Sequence, residues 1–242
     1  MNIPIIELFS SIQGEGPYVG ARQIFMRLPN CNLACPYCDT PFGPTAELRY
    51  EQVPGTKVFQ REPNPVSPER LLALLRNFDL KLHHSLSVTG GEPLLWAEEL
   101  VVLLPLLRQE GLKIYLETNG TLTEQLKLVL PLVDYISMDI KLPFRGQSFW
   151  PEHEEFLRLG MGKNIFVKIV VDAASTWSEL EQARDLIAGI NENILTVLQP
   201  VTATHGVMTP EARQMLDWQE FFLQKLTSVR VIPQTHVLQG QL

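Results

Sequence analysis

The run Gln23-Ile24-Phe25-Met26-Arg27-Leu28, followed after two residues by Cys31-Asn32-Leu33-Ala34-Cys35-Pro36-Tyr37-Cys38, decides how the rest of the chain is read. Its first half is short, apolar and flanked by turn residues, which predicts a strand. Its second half is a C-x3-C-x2-C loop, whose three soft thiolates can converge on one metal centre. The chain holds 3 cysteines in all, so no fourth is available. Two readings follow. A structural zinc would need a closed tetrahedron completed by a histidine. An iron–sulfur cubane held by three cysteines would leave one iron open, since full ligation takes four. His83, His84, His153, His205 and His236 lack the short paired spacing of a zinc module, which favours the open cluster.

Outward from this loop, strand-like runs occupy residues 3–9, 23–28, 86–89, 113–117, 135–139, 164–171, 194–199 and 229–232. Helix-period segments lie between most of them, at 68–78, 98–109, 122–129, 176–190 and 210–226, and His153 falls in a further acidic helical stretch. Ser67 before Pro68 and Glu69 reads as an N-cap with proline in the first turn, and Thr209-Pro210-Glu211 repeats the pattern. Strand alternating with helix predicts an α/β fold with a parallel sheet. About six such units are too few for a closed eight-stranded barrel, so the expectation is an open, partial β/α barrel with its active groups at the C-terminal strand ends. A single domain over residues 1–242 is expected. Residues 41–68, with six prolines and two glycines, break the rhythm and read as a long surface excursion in which only 56–60 resembles a strand. Loops of this length usually serve a function.

The 242 residues are 45% hydrophobic and 19% charged, an ordinary globular composition. Twenty basic against 27 acidic residues leave a net charge of −7, which argues against a general nucleic-acid binder. The longest apolar stretch, residues 100–107, falls far short of the roughly 20 residues needed to span lipid. With no basic, apolar leader at the N-terminus, the expected location is cytoplasmic, where clustered cysteines stay reduced.

Other polar signals end the predicted strands. Thr89-Gly90-Gly91-Glu92-Pro93 follows one, Glu117-Thr118-Asn119-Gly120 the next, and Ser137-Met138-Asp139-Ile140-Lys141 the one after. Taken singly, Gly-Gly and Asn-Gly are common turn pairs. In order downstream of the cysteines, they resemble the radical S-adenosylmethionine (radical SAM) superfamily, in which an aromatic residue such as Tyr37 also precedes the last cysteine. Near the N-terminus, Gln13-Gly14-Glu15-Gly16 offers an amide, a carboxylate and backbone donors in a glycine-hinged turn, and Arg27 offers a planar fork for a carboxylate. On their chemistry alone these fit a heterocycle site and a plain turn with a surface ion pair equally well. Together with Asp39-Thr40, Gln199-Pro200 and Pro233-Gln234-Thr235-His236, they extend the resemblance, over most of the chain, to the 7-carboxy-7-deazaguanine synthase family of the 7-deazapurine (queuosine) pathway.

That resemblance implies a lyase that turns 6-carboxy-5,6,7,8-tetrahydropterin into 7-carboxy-7-deazaguanine by radical ring contraction with loss of ammonia. It implies a 4Fe–4S cluster on Cys31, Cys35 and Cys38, and S-adenosylmethionine lined by Tyr37, Cys38, Asp39, Gly91, Glu92, Ser137, Met138, Asp139, Lys141 and Gln199. Ile12, Gln13, Gly14, Arg27 and Thr89 would hold the pterin, Glu15 and Arg27 would act on it, and Thr40 would ligate Mg2+ through a hard oxygen. A flavodoxin-like electron donor and a homodimer are further implications. The other readings are a glycyl-radical activase of the same superfamily and a zinc-stabilised binding module.

Overall fold

The computed structural model describes residues 1–38, 43, 45–203, 206–238 and 240. Seven strands lie parallel: β2 (Arg22–Leu28), β5 (Ser85–Gly90), β6 (Ile114–Thr118), β7 (Tyr135–Ile140), β8 (Asn164–Val171), β9 (Thr196–Pro200) and β10 (Val229–Val231). Six helical crossovers join them: α1 (Pro68–Leu75), α2 (Ala97–Gln109), α3 (Thr123–Val129), α4 (Trp150–Gly160), α5 (Trp177–Ile190) and α6 (Ala212–Leu223). A four-residue helix, α7 (Thr235–Leu238), follows the last strand. Ahead of β2, β1 (Glu7–Ile12) runs antiparallel to it, and β3 (Glu47–Glu51) and β4 (Phe59–Pro63) extend the sheet beyond β1. The order is β10-β9-β8-β7-β6-β5-β2-β1-β3-β4, with β10 and β4 at opposite edges, so the barrel is open.

Alternation along each parallel strand decides what faces inward. On β8, Val167, Ile169 and Val171 join the main core beneath the helices, while Lys168 and Val170 face the barrel interior. The helices contribute one apolar stripe each; in α2 this is Leu100, Leu103, Leu104 and Leu107, at the spacing of helical turns. Tyr18 plugs the other end of the barrel, its ring 5.7 Å from Tyr115 and 5.2 Å from Tyr135.

Several boundaries differ from expectation. The first strand spans Glu7–Ile12 rather than 3–9. Pro4 has no N–H to donate, and Ile3 and Ile5 bond instead to Val66 and Asn64. Ser67 caps α1 as expected, accepting from Arg70 N at 3.3 Å, but α6 is capped by Glu211 in a box with Gln214. The Thr209 hydroxyl is used elsewhere, donating to the Val201 carbonyl at 2.8 Å. The acidic stretch around His153 is a full helix, α4, whose buried His153, Phe156, Leu157 and Gly160 form the inward stripe.

The largest correction concerns residues 41–68. Its described part is no mere surface loop: Leu48, Tyr50 and Glu51 are fully buried, and Tyr50 packs on Phe78 at 5.7 Å. The strand-like residues 56–60 straddle the turn and the start of β4. The physical effect is to place Arg49 beside Glu7, to which it donates at 2.8 Å.

Helix α5 offers a test of local stability away from the strand ends. Thr176 Oγ1 accepts from Glu179 N at 3.3 Å while Glu179 Oε2 accepts from Thr176 N at 2.8 Å. Thr176→Ala is expected to cost about 1 kcal/mol. A urea midpoint should fall accordingly, with unchanged iron uptake on reconstitution.

Candidate active site

The C-terminal ends of the parallel strands surround a cavity of about 440 Å³. Cys31, Cys35 and Cys38 form one wall on the loop leaving β2. The loop is held by backbone: Gly91 N donates to Leu28 O at 3.2 Å and Glu92 N to Asn30 O at 2.8 Å. Trp96 Nε1 adds a bond to Pro29 O at 2.9 Å. The approach is so close that a Cβ on Gly91 would stand 1.8 Å from the Asn30 oxygen. Gly90 adopts φ +130° and would meet Leu28 O at 2.1 Å. Both glycines are therefore required by the contact of β5 with the cysteine loop.

Glu92, expected to face the cofactor, turns under this loop instead. It is fully buried, accepting from Asn119 N at 2.7 Å, Thr118 Oγ1 at 2.9 Å and Leu94 N at 3.1 Å. Burial pushes its carboxyl up to about 7 against those three donors. Met138 also departs from expectation. Alternation along β7 sends Ser137 and Asp139 into the cavity, while the Met138 side chain belongs to the core on the opposite face.

The remaining described candidates come together. Ile12, Gln13, Gly14, Glu15, Arg27 and Thr89 line the half nearest β1. Tyr37, Gly91, Ser137, Asp139 and Lys141 line the half nearest the cysteines, and Gln199 lines the same cavity from β9. Asp39 and Thr40 lie outside the described residues.

The first half is a buried polar network. Gln13 Nε2 donates to Gln23 Oε1 at 2.9 Å and to Glu117 Oε1 at 3.0 Å, and its oxygen accepts from Glu15 N at 3.0 Å. Its side chain is thus committed to holding two carboxylate residues rather than free to read a ligand. Glu117 also accepts from Ser87 and Thr89. Burial opposes the charge on Glu15, but Lys168, Gln234 and nearby His236 outweigh it and bring the carboxyl down to about 2. Glu15 is an ionised acceptor at neutral pH. At the mouth, Glu7 accepts from Arg27 at 3.2 Å and from Arg49 at 2.8 Å.

In the second half, Lys141 donates to Asp139 at 2.7 Å and stands 5.4 Å from the centre of the Tyr37 ring. Burial opposes the Lys141 charge, but Asp139, Tyr37 and Cys35 hold its pKa well above the usual lysine range. Among the described residues, Asp139 Oδ1 and Gln199 Oε1 are buried oxygens with no partner.

Residues 26–192 match the Radical SAM superfamily. A 7-carboxy-7-deazaguanine synthase from Geobacter sulfurreducens is 44% identical, covering 98% of this chain and 96% of that protein. The chain belongs to the 7-carboxy-7-deazaguanine synthase family of radical SAM enzymes. A synthase of the same name from Thermococcus kodakarensis is 32% identical over 85% of this chain and 88% of its own length. The crystal structure of QueE from Escherichia coli shares the fold, with a TM-score of 0.62, 21% identity, and coverage of 97% and 94% of the two chains.

Members of this family use a 4Fe–4S cluster and S-adenosylmethionine, and the residues present fit both. Burial pushes the Cys31 and Cys35 thiols up, so bare thiolates are disfavoured until a cationic centre takes them. The sulfurs share a wall without closing on a single ion; among the described residues no group of three His, Cys, Asp and Glu is placed to do so. Leu33 N donates to Cys31 Sγ at 3.4 Å, and Asn119 Nδ2 reaches it at 3.8 Å. The orphaned oxygens of Asp139 and Gln199 suit the ammonium and ribose hydroxyls of S-adenosylmethionine, because a buried acceptor without a partner is costly.

No sequence motif marks Lys168 or Arg49, and Glu7, Glu117 and His236 fall within motifs that give them no role. The Lys168 signal was a lone cation in Asn164–Val171, an otherwise apolar strand. Arg49 had none, since its place depends on the pairing of β3 with β1.

His153 sets a pH test. It is fully buried on α4, and its Nε2–H donates to the Asn119 carbonyl at 3.1 Å, steadying the loop that reaches Cys31. Burial lowers its pKa from 6.5 to about 4. The folded state therefore resists protonation, and stability present above pH 6.5 is lost as pH falls toward 4. Relative to His153→Phe, the wild type should lose about 2–3 kcal/mol between pH 7 and pH 4.5 in urea unfolding.

Proposed function

We propose that this chain performs the family's reaction, converting 6-carboxy-5,6,7,8-tetrahydropterin to 7-carboxy-7-deazaguanine with loss of ammonia, in the cavity at the strand ends. The observation that carries the reading is the division of one cavity into a three-cysteine wall with orphaned acceptors and a carboxylate-lined half beside two arginines. When bound, the cluster and S-adenosylmethionine supply the one-electron chemistry that removes hydrogen from C6 of the pterin.

The protein's residues orient and enclose. Cys31, Cys35 and Cys38 hold the cluster. Tyr37, Gly91, Ser137, Asp139, Lys141 and Gln199 line the cofactor. Glu15, ionised by Lys168, accepts from the N–H edge of the pterin, and Gln13 and Thr89 keep Glu117 aimed at the same half. Arg27 takes the substrate carboxylate, its guanidinium preset by the bond to Glu7. Arg49 adds a second cation at the mouth. Gln234 and Thr235 tie the C-terminal segment to Glu15 and Gly14 at 2.9 Å each, excluding water from that side. The reading also includes Mg2+ on Thr40, a flavodoxin-like reductant and a homodimer, all carried by the sequence resemblance. Among the described residues no helix is long and apolar enough to cross a membrane.

The deciding experiment incubates anaerobically reconstituted protein with dithionite, S-adenosylmethionine, Mg2+ and the tetrahydropterin, followed by mass spectrometry. The deazaguanine product with 5′-deoxyadenosine is expected. 5′-Deoxyadenosine with unchanged pterin would overturn the substrate, and neither product on a reducible cluster would overturn the reaction. Arg27→Ala should raise KM for the pterin by about tenfold or more, the loss of one charge-assisted pair, with iron content unchanged. Thr40→Ala should raise the Mg2+ concentration needed for half-maximal rate.

A further inference from the structure

Lys168 is a buried cation shared by two carboxylates that belong to different halves of the cavity. Its Nζ lies 2.5 Å from Glu15 Oε2 and 3.4 Å from Asp139 Oδ2. The three side chains are 13%, 20% and 11% exposed, so water screens these contacts weakly. The placement follows from the sheet: Lys168 is the register partner of Asp139 across the β7–β8 pair, and both point inward. Glu15 reaches the same ammonium from the turn after β1. Asp139 is further held by Lys141, which stands over Tyr37 in the cysteine loop. A line of alternating charge therefore runs Glu15, Lys168, Asp139, Lys141 across the cavity. Among the described residues Lys168 makes the only ion pair to Glu15.

We propose that Lys168 is a positioning residue that couples the two ligand sites, so that S-adenosylmethionine and the pterin each tighten the binding of the other. The proposal rests on the assignment of the Glu15 half to pterin and the Asp139 half to the cofactor. Without ligands the ammonium hydrogen-bonds Glu15 and is still drawn toward Asp139, 3.4 Å away. A donor arriving on the unpartnered Oδ1 of Asp139 satisfies part of that carboxylate's charge. The pull of Asp139 on Lys168 then weakens, and the existing bond to Glu15 holds that carboxylate more tightly before the pterin arrives. That ordering is a cost the pterin no longer meets. Linkage requires the effect to be equal in the opposite direction.

The test uses equilibrium binding without turnover. Oxidised, fluorescent 6-carboxypterin is titrated into the anaerobically reconstituted full chain, with no reductant, in the presence and absence of saturating S-adenosylmethionine. In the wild type, S-adenosylmethionine should tighten 6-carboxypterin by about fivefold, within the usual range of coupling between sites, and 6-carboxypterin should tighten S-adenosylmethionine by the same factor. Lys168→Met should reduce that ratio to below about twofold, and Lys168→Arg should restore it; a merely structural role would lower both affinities and leave the ratio. A wild-type ratio of one overturns the coupling without recourse to a variant that folds. So does an unchanged ratio in Lys168→Met of normal melting behaviour. If the wild type binds S-adenosylmethionine but no pterin, the assignment of the site falls, and this inference with it.

Discussion

The site depends on one contact between two stretches of backbone, where Gly90 and Gly91 at the end of β5 lie against Leu28 and Asn30 at the end of β2. Two adjacent parallel strands diverge at their ends unless something holds them, and here the hold is amide to carbonyl with no side chain between. That contact aims the cysteine loop across the open end of the barrel. Glu92 completes it from below, gathering the Asn119 and Leu94 amides and the Thr118 hydroxyl on a carboxyl that burial has pushed close to neutrality. Three strand ends are thus joined beneath the cavity.

Above that support the cavity is electrostatically divided. Its cysteine half contains sulfurs that burial keeps from ionising and oxygens that lack donors, both of which a cluster and its cofactor can satisfy. Its other half holds Glu117, a carboxylate already satisfied by fixed neighbours, so its orientation is set before any ligand enters. Preorganisation of this kind lowers the ordering cost at the moment of reaction. The glutamine and threonine residues here serve the ligand through the carboxylates they hold.

Residues 41–68 show how a segment with poor sequence periodicity can serve both fold and site. Leu48 and Tyr50 bury themselves, and the intervening Arg49 is thereby delivered to the mouth of the cavity. The pairing of β3 with β1 sets Arg49 opposite Glu7, and Glu7 then lies between two guanidinium groups. Two guanidinium groups at an entrance, in a chain of net charge −7, suit an anionic ligand.

Local sequence determined much of this protein. The strand-and-helix alternation, the open barrel, the three-cysteine loop and the glycine pair all depend on residues close together in the chain, where period, turn chemistry and spacing are legible. Side-chain chemistry marked Glu15 and Arg27 as candidates, and the family resemblance marked Asp139 and Gln199. Tertiary structure decided which way each of them faced. Glu92 and Met138 sit within the right motifs yet turn away, because a two-residue period sends neighbours to opposite faces and the Leu94 and Asn119 amides claim the Glu92 carboxyl. Lys168 and Arg49 became site residues only through register with Asp139 and Glu7, and register between strands is set by the packing of the whole sheet rather than by either strand alone.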